Sequence, residues 1–228
     1  MMRKYFYFIP VAIFSISAAY AQTTLQGAWE GEDRVLVFSG NYFSHTRYEA
    51  DTFISTRGGT WHQEEDELVL TYEYHTEDPD QVGEQEKILL KQAENYLILS
   101  KQAFKKIDDG SPGKLNGAWL ITGRMRNGEL RQRTPGPRKT MKILSGTRFQ
   151  WIAYHTDTGE FFGTGGGTYT TKNGKYTENI DFFSRDQSRV GAQLEFDYEI
   201  KDGKWHHSGK SSRGKPIYEV WTLRSNIP

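Results

Sequence analysis

The pentapeptide Leu-Gln-Gly-Ala-Trp at residues 25–29 recurs as Leu-Asn-Gly-Ala-Trp at residues 115–119. Further along the chain, residues 53–99 align with residues 161–207 without a gap. A Gly-Gly-Thr tripeptide lies in each aligned segment, at residues 58–60 and 166–168. An ungapped repeat of this length indicates two copies of one structural unit.

Both copies have the pattern of short antiparallel strands. Asn173-Gly174 and Asp202-Gly203 lie between apolar segments and predict type I′ hairpin turns, because both residue pairs tolerate positive φ. No stretch has the 3.6-residue apolar period of a helix. Seven or eight meandering strands in about 100 residues are best closed as a small barrel, which leaves no edge unpaired. In the second copy the predicted strands are 141–145, 148–155, 161–171, 176–184, 192–200, 204–208 and 217–224.

The composition of the 228-residue chain excludes several classes of protein. Lys and Arg number 29 and Asp and Glu number 29, so no basic excess favours nucleic acid or an anionic membrane. The chain has no cysteine, which excludes disulfide scaffolds, thiol nucleophiles and cysteine-ligated zinc. Aromatic residues make up 14% of the chain, which is too many for disorder and suits β-structure or contact with sugars.

Residues 1–21 have the pattern of a secretory signal peptide. Arg3 and Lys4 precede an apolar run over residues 5–16, and Ala-Tyr-Ala at residues 19–21 fits the cleavage rule. The apolar run is shorter than the ~20 residues of a membrane span, and no later segment is apolar enough to form one. We therefore expect an exported protein, periplasmic or secreted, with a first barrel at residues 22–110 and a second at residues 111–228.

Each copy opens with Gly-x-Trp and closes on a basic strand end, Lys105-Lys106 in the first and Arg224 in the second. This resembles the lipocalin pattern, in which a tryptophan of the first strand caps the barrel beneath a basic side chain. The predicted fold class is therefore all-β, with two tandem lipocalin-like antiparallel β-barrels.

The second copy is similar over residues 115–224 to a secreted lipocalin-like family of polysaccharide-utilising bacteria. The resemblance is carried by the segments 139–143, 149–151, 164–170, 176–178, 205–209 and 219–221, among them Trp-His-His-Ser-Gly at 205–209. The first copy matches only through its glycines and its Gly-x-Trp. The resemblance implies a role in polysaccharide utilisation, since the family includes a dehydratase that acts on ulvan oligosaccharides.

Hairpin pairing predicts which side chains point into the second barrel, because directly opposed residues share a face. The Asp202-Gly203 turn pairs Tyr198 with His207, and the apolar face of that strand (Leu194, Phe196, Tyr198 and Ile200) is expected to be interior. His206 then points outward. The Asn173-Gly174 turn likewise directs inward a set that continues along one face: Tyr169, Tyr176, Glu178, Ile180 and Phe182. The face of Phe149, Trp151, Ala153 and His155 is expected to be interior as well.

Alignment of the copies gives the strongest functional signal. Tyr169, Glu178, Tyr198 and His207 align with Trp61, Leu70, Leu90 and Leu99. A buried glutamate or histidine costs a few kcal/mol unless it is paired, so a barrel that keeps both has a use for them. We therefore place the site in the second copy, although these groups could also be a satisfied hydrogen-bond network in a structural core. The first copy is then a structural or docking domain.

The second copy contains an insertion at about residues 120–140 that is rich in arginine, glycine and proline. It is either a solvated loop or a lid that supplies cations to an acidic substrate. Gly165-Gly166-Gly167 lies within a strand and is expected to permit a sharp bend or a close backbone approach. His206 and His207 face opposite ways and no metal-binding histidine spacing occurs, so neither a metal nor an organic cofactor is expected.

Dehydration of a terminal uronic acid requires a base, an acid and a group that neutralises the carboxylate. His207 is the candidate base, and Tyr198, Tyr169 or Glu178 could protonate the leaving hydroxyl or orient the base. The candidate substrate-binding residues are Trp151, His155, Tyr176, Arg126 and Lys139, the last two for the carboxylate. The expected partner is an oligosaccharide, with no nucleic acid and no membrane span, and a homodimer is left open. The alternative is a non-catalytic sugar- or small-ligand-binding module.

Overall fold

The computed structural model describes residues 25–227, so the predicted signal peptide at residues 1–21 lies outside the described residues. It consists of seventeen β-strands and three short 3-10 helices, which confirms the predicted all-β fold of two tandem barrels. The 3-10 helices are Pro79–Gln81, Gln187–Arg189 and Arg224–Asn226. None of the helices formed by the described residues is long and apolar enough to cross a membrane.

The first barrel is closed by eight antiparallel strands that meander in chain order. They are β1 (Gly27–Glu30), β2 (Arg34–Ser39), β3 (Tyr42–Glu49), β4 (Thr52–Glu64), β5 (Glu67–His75), β6 (Gln85–Ala93), β7 (Tyr96–Leu99) and β8 (Gln102–Asp108). The barrel closes because β1 pairs with both β2 and β8. At one end the Trp29 indole donates to the Leu25 carbonyl, 2.9 Å away, beneath the Lys106 ammonium, which lies 4.8 Å from the ring. This end has the tryptophan-and-cation arrangement predicted for a lipocalin-like barrel.

The second barrel repeats this plan with one added strand. Its strands are β9 (Gly117–Arg126), β10 (Glu129–Gln132), β11 (Arg138–Leu144), β12 (Arg148–His155), β13 (Phe161–Lys172), β14 (Lys175–Phe183), β15 (Gln193–Lys201), β16 (Lys204–Lys210) and β17 (Pro216–Leu223). Strand β9 pairs with β11 and β17 and closes the eight-stranded barrel, while β10 pairs with β9. The insertion is therefore a β-hairpin rather than a loop. Its turn, Asn127-Gly128, has φ values of 51° and 81°, which suit a type I′ turn.

The two predicted hairpin registers are confirmed. Tyr198 pairs with His207 across β15 and β16, and Tyr169 pairs with Glu178 across β13 and β14. Asn173 and Asp202 have φ values of 51° and 52°, and a glycine with positive φ follows each. These turns allow the strand register to be predicted from the sequence, because a two-residue loop permits only one pairing of the two strands that it joins.

Three predicted placements are wrong, each for a local reason. Phe182 faces the first barrel, because a β-bulge after Gly166 inserts one residue into β14 and reverses the face of the residues that follow. Ile200 is 47% exposed, because it lies at the far end of β15 beyond the core. Arg224 does not cover the tryptophan of its own barrel: its guanidinium lies 4.1 Å from the Tyr42 ring and donates to Glu73 of the first barrel.

The triple-glycine segment bends as expected. A Cβ on Gly167 would lie 2.0 Å from the Asn179 carbonyl oxygen, so only glycine allows this approach of β13 to β14. The first barrel has the same bulge, between Gly58 and Gly59. The two copies therefore share a bend that a tripeptide in the sequence already marks.

The barrels pack outer face against outer face, and equivalent residues of the two copies meet. The side chains of Ser44 and Gln150, which occupy equivalent positions in β3 and β12, hydrogen-bond to each other. The Tyr74 and Tyr154 rings lie 4.9 Å apart, and their equivalents in exchanged order, Phe182 and Tyr48, lie 5.0 Å apart. Such reciprocal contacts are produced by a two-fold relation between the copies. The first barrel thus packs against the second as one half of a dimer would.

Charged groups reinforce this interface. Arg224 makes a two-pronged ion pair with Glu73, and the Tyr154 hydroxyl also donates to that carboxylate, at 2.5 Å. Asp108, at the end of β8, accepts hydrogen bonds from the Gly146 and Thr147 amides of the β11–β12 turn, both at 2.9 Å. These hydrogen bonds link the end of the first barrel to the second barrel.

Candidate functional site

A cavity of about 360 Å³ opens inside the second barrel. Its aromatic lining comes from Trp151, Phe162, Phe183, Phe196 and Trp221, and its charged lining from Arg124, Arg138, Lys142, Glu178, Arg185, His207 and Glu219. A mostly apolar concave site with a few convergent polar groups is the usual form of a small-molecule site. The volume lies within the range of about 300–1,000 Å³ that is usual for small-molecule pockets.

Lys142 and Glu178 form a buried ion pair at the cavity. Lys142 Nζ donates to Glu178 Oε1 at 2.7 Å, and the side chains are 6% and 5% exposed. Strand alternation explains the placement of Lys142, because Met141 and Ile143 on either side of it face the first barrel. The ammonium also lies 4.8 Å from the Tyr176 ring and 5.1 Å from the Trp205 ring. Aromatic faces and a carboxylate together compensate the loss of water around this cation.

His207 lies beside this pair and is 2% exposed. Its ring packs 4.2 Å from the Phe196 ring and 5.3 Å from the Trp205 ring. Within residues 25–227 neither ring nitrogen makes a hydrogen bond. Burial, followed by the nearby positive charge of Lys142, lowers the pKa of His207 below 6.5, although Glu219 opposes the shift. The imidazole is therefore neutral at neutral pH and can accept a proton.

Glu219 lies directly opposite His207 in the β16–β17 pairing. Its Oε2 is 3.5 Å from His207 Nδ1, and its Oε1 accepts from Arg124 Nη2 at 2.6 Å. Burial by itself raises the pKa of Glu219, but His207, Arg124 and Lys142 outweigh burial and lower it to about 2. Glu219 is therefore a fixed negative charge at the cavity wall.

The balance of charge favours an anionic ligand. Four cationic side chains (Arg124, Arg138, Lys142 and Arg185) and two anionic ones (Glu178 and Glu219) line the cavity. With His207 neutral, the lining carries two net positive charges. Two of the arginines lie close to aromatic faces: Arg138 is 4.3 Å from the Phe162 ring, and Arg185 is 5.7 Å from the Trp151 ring. These contacts hold the two guanidinium groups beside the aromatic side chains of the cavity wall.

The structure brings three of the nine predicted site residues, Trp151, Glu178 and His207, together at the cavity. The three tyrosines are not among the residues that line it. The Tyr169 hydroxyl donates to the Ser145 carbonyl at 2.6 Å, and burial raises its pKa. Tyr176 is fully buried beneath Lys142, and Tyr198 packs against the barrel core. The tyrosines support the site instead of lining it.

The other three predicted binding residues also lie off the cavity. Lys139 is on the outer face of β11, since it is an odd number of residues from inward-facing Lys142, and its Nζ donates to the Gly136 carbonyl at 3.1 Å. Arg126 is exposed at the end of β9, beyond Arg124. His155 ends β12 past the cavity and accepts from the Asp157 amide at 3.3 Å. The arginines that line the cavity are Arg124, Arg138 and Arg185, and the predicted pair Arg126 and Lys139 is not among the lining residues.

Lys142 and Glu219 are among the cavity residues absent from the nine predicted site residues, although the sequence contains a signal for Lys142. Ser-Gly at residues 39–40 aligns with Ser-Gly at residues 145–146, which places Lys142 opposite Leu36 of the first copy. At His207, too, an ionisable residue stands where the first copy has a leucine. Glu219 gives no comparable signal, because it aligns with a polar residue, Gln102, in the first barrel.

Groups of three or more histidine, aspartate or glutamate side chains that could hold a metal ion do not occur in the described part of the chain. The residues that line the cavity offer one imidazole and two carboxylates, and each carboxylate already pairs with a cation. The chemistry available at the site is therefore that of a neutral base, a buried ammonium and arginine donors.

Residues 114–224 match the model of a protein family described as Domain of unknown function (DUF4488). The matched range contains all strands of the second barrel, β9–β17, and therefore the whole cavity. No curated protein matches the chain.

Proposed function

We propose that the second barrel is the active site of a carbohydrate dehydratase that removes water from the terminal uronic acid of an oligosaccharide. The product is an unsaturated uronyl end, and the resemblance of the second copy to the lipocalin-like family indicates ulvan-type oligosaccharides as the substrate class. The observation that carries the proposal is the cavity itself, where a buried neutral imidazole adjoins a buried ammonium–carboxylate pair under arginines. The N-terminal segment would export the protein to the periplasm or the medium.

The uronic acid enters with its carboxylate toward the cationic groups at the cavity mouth, Arg124, Arg138 and Arg185. Positive charge there stabilises the negative charge that builds up on the carboxylate when the proton at C5 is removed. The aromatic side chains Trp151 and Phe183 offer faces for the sugar ring. The cavity holds one terminal sugar and leaves the rest of the chain outside.

The elimination uses two groups of this chain. His207 Nε2 takes the proton from C5, and the electron pair of the C5–H bond forms the C4=C5 double bond. The C4–O bond breaks, and the leaving hydroxyl takes a proton from the Lys142 ammonium and departs as water. The proton on His207 then returns to the Lys142 amine, so the cycle consumes no proton. Glu178 holds the Lys142 side chain in place throughout.

The test is a direct assay of purified protein with uronate-ended oligosaccharides. Product formation is followed by the ultraviolet absorbance of the conjugated double bond and by mass spectrometry for the loss of one water. His207→Gln should lower kcat/KM by about 10²–10⁴-fold, the usual contribution of a general base. The matched control is His206→Gln, since the neighbouring His206 ring faces outward and bonds the Tyr218 hydroxyl. Full activity of the His207→Gln variant would refute the proposed mechanism.

A non-catalytic sugar-binding module is the second candidate, favoured by the aromatic lining of the cavity. One fold can carry either function, so a lipocalin-like barrel does not by itself decide between binding and catalysis. Titration calorimetry with the same oligosaccharides separates the two. Saturable binding without formation of the unsaturated product identifies the binding module.

A further inference from the structure

Glu219 occupies a position between two functional groups of the cavity. Its two carboxylate oxygens have different partners: Oε2 faces His207 Nδ1 at 3.5 Å, and Oε1 accepts from Arg124 at 2.6 Å. Glu219 is 7% exposed, and its neighbour in the strand pairing is His207 itself. The cavity geometry therefore connects an arginine of the β9–β10 hairpin to the imidazole through one carboxylate.

We infer that Glu219 is a positioning residue for His207, which orients the imidazole and stabilises its protonated form during the reaction. The inference rests on the proposed function, in which His207 is the base. A carboxylate beside Nδ1 favours the tautomer that carries its proton there, so Nε2 keeps the lone pair that a base needs. When Nε2 takes the proton from C5, the fixed negative charge of Glu219 balances the new positive charge on the ring.

The first barrel shows that the barrel itself does not need this pair. Leu99 and Gln102 occupy the positions of His207 and Glu219 and pair directly across β7 and β8. The same strand geometry is thus built with neither an imidazole nor a carboxylate. The pair in the second barrel is an addition to the fold.

The pKa of His207 also depends on the other charged and titratable groups that surround its ring. On the strands packed around it these groups are Lys142 on β11, Glu178 and Tyr176 on β14, Tyr198 on β15, and Glu219 on β17. Lys142 favours the neutral imidazole, whereas Glu178 and Glu219 favour the charged one. Removal of the Glu219 charge therefore leaves Lys142 less opposed and lowers the pKa of His207 further.

The experiment compares the wild-type protein with Glu219→Gln, Glu219→Asp and Arg124→Gln. Proton NMR follows the titration of the His207 ring, assigned by its absence in His207→Gln, and kcat and KM are measured against pH. Glu219→Gln should lower the pKa of His207 by about one unit and shift the acid limb of kcat by a similar amount. We expect kcat to fall about tenfold or more with KM changed less than about threefold. Glu219→Asp should restore part of both.

Arg124→Gln tests whether Glu219 acts on His207 or only anchors the β9–β10 hairpin through Arg124. It removes the same Arg124–Glu219 bond but leaves the carboxylate opposite His207, so the pKa of His207 should not fall. The inference is overturned if Glu219→Gln leaves that titration at the same or a higher pH, or if Arg124→Gln lowers it equally. If the wild-type protein forms no unsaturated product, the proposed function fails, and the NMR titration still decides whether Glu219 controls the imidazole.

Discussion

The two barrels have equivalent strand pairings and the same glycine bulge. Side chains fill the interior of the first barrel, whereas the interior of the second contains a cavity. Leu36, Leu70 and Leu99 of the first barrel occupy the positions of Lys142, Glu178 and His207 of the second. The cavity inside the first barrel has a volume of about 20 Å³, and the cavity inside the second has a volume of about 360 Å³. The two interiors thus differ in chemistry at these three positions, while the strand pairing around them is the same.

The outer faces differ less than the interiors. Val35, Val37 and Ala28 of the first barrel meet Met141, Ile143 and Ala118 of the second in a shared apolar layer. These outer-face residues are apolar in both copies, because they are buried against each other. The two copies therefore resemble each other more in this contact than in their interiors.

The largest expected effect on activity comes from replacing the polar interior residues of the second barrel with the leucines found at the same positions in the first barrel. The triple variant Lys142→Leu, Glu178→Leu, His207→Leu should lose all dehydratase activity. Its free energy of unfolding should stay equal or rise by about 1–4 kcal/mol, because apolar replacement of a buried ion pair is often stabilising. Urea unfolding and the elimination assay check both. A large loss of stability would show that the charged groups support the fold.

Removal of one partner alone should have the opposite effect on stability. Lys142→Leu leaves Glu178 buried without its cation and should lower the free energy of unfolding by about 3–5 kcal/mol. Adding Glu178→Leu should recover most of that loss, and urea unfolding of the single and double variants measures the coupling. Additive losses would mean that the two side chains do not act as a pair.

The interface between the barrels predicts a smaller, asymmetric effect. Arg224 pairs across the interface with Glu73 at side-chain exposures of 10% and 17%. Arg148 pairs across it with the more exposed Glu30, at 14% and 50%, and within its own barrel with Asp181. Arg224→Ala should therefore destabilise by about 2–4 kcal/mol and Arg148→Ala by about 1–2 kcal/mol. Thermal and urea unfolding give the ranking, and the reverse order would contradict the burial argument.

The smallest expected effect is the contribution of His207 to the pH dependence of the free energy of unfolding. His207 binds a proton near pH 6.5 in the unfolded chain but only at lower pH when folded, because its native pKa is lowered. The unfolded state then holds more protons below pH 6.5, so stability falls as the pH falls. His207→Gln should remove up to about 1.4 kcal/mol per pH unit from that slope. Unfolding of both proteins between pH 6.5 and 5 measures it, and equal slopes would contradict a lowered pKa.

Much of the fold can be predicted because short turns determine register. Asn173-Gly174 and Asp202-Gly203 each allow one pairing, and those pairings, together with the apolar face of each strand, direct Glu178 and His207 into the barrel. The same reasoning misplaces Phe182, because the glycine tripeptide of β13 predicts a bend but the extra residue of the bulge lies in β14, whose own alternating pattern shows no break. The two alternating faces of a strand cannot be told apart when both are apolar or mixed.

The rest of the site depends on pairings that are not local. Strand β11 follows the insertion, whose length leaves its inner face undetermined, so the sequence suggests Lys139 where Lys142 points inward. Glu219 meets His207 across β16 and β17, whose connecting turn has no recognisable two-residue signal. The pattern of the second copy assigns Arg224 to its own barrel, since contacts between the barrels cannot be read from either copy alone.

The distribution of tryptophan gives the molecule an optical asymmetry. Two of its six indoles, Trp29 and Trp61, belong to the first barrel, and the other four belong to the second. Trp151 and Trp221 line the cavity, and Trp205 lies 5.9 Å from Trp221. An occupant of the cavity would displace water from these rings and change their emission, while Trp29 stays shielded in the first barrel. Intrinsic fluorescence can therefore report ligand entry into one barrel against a constant signal from the other.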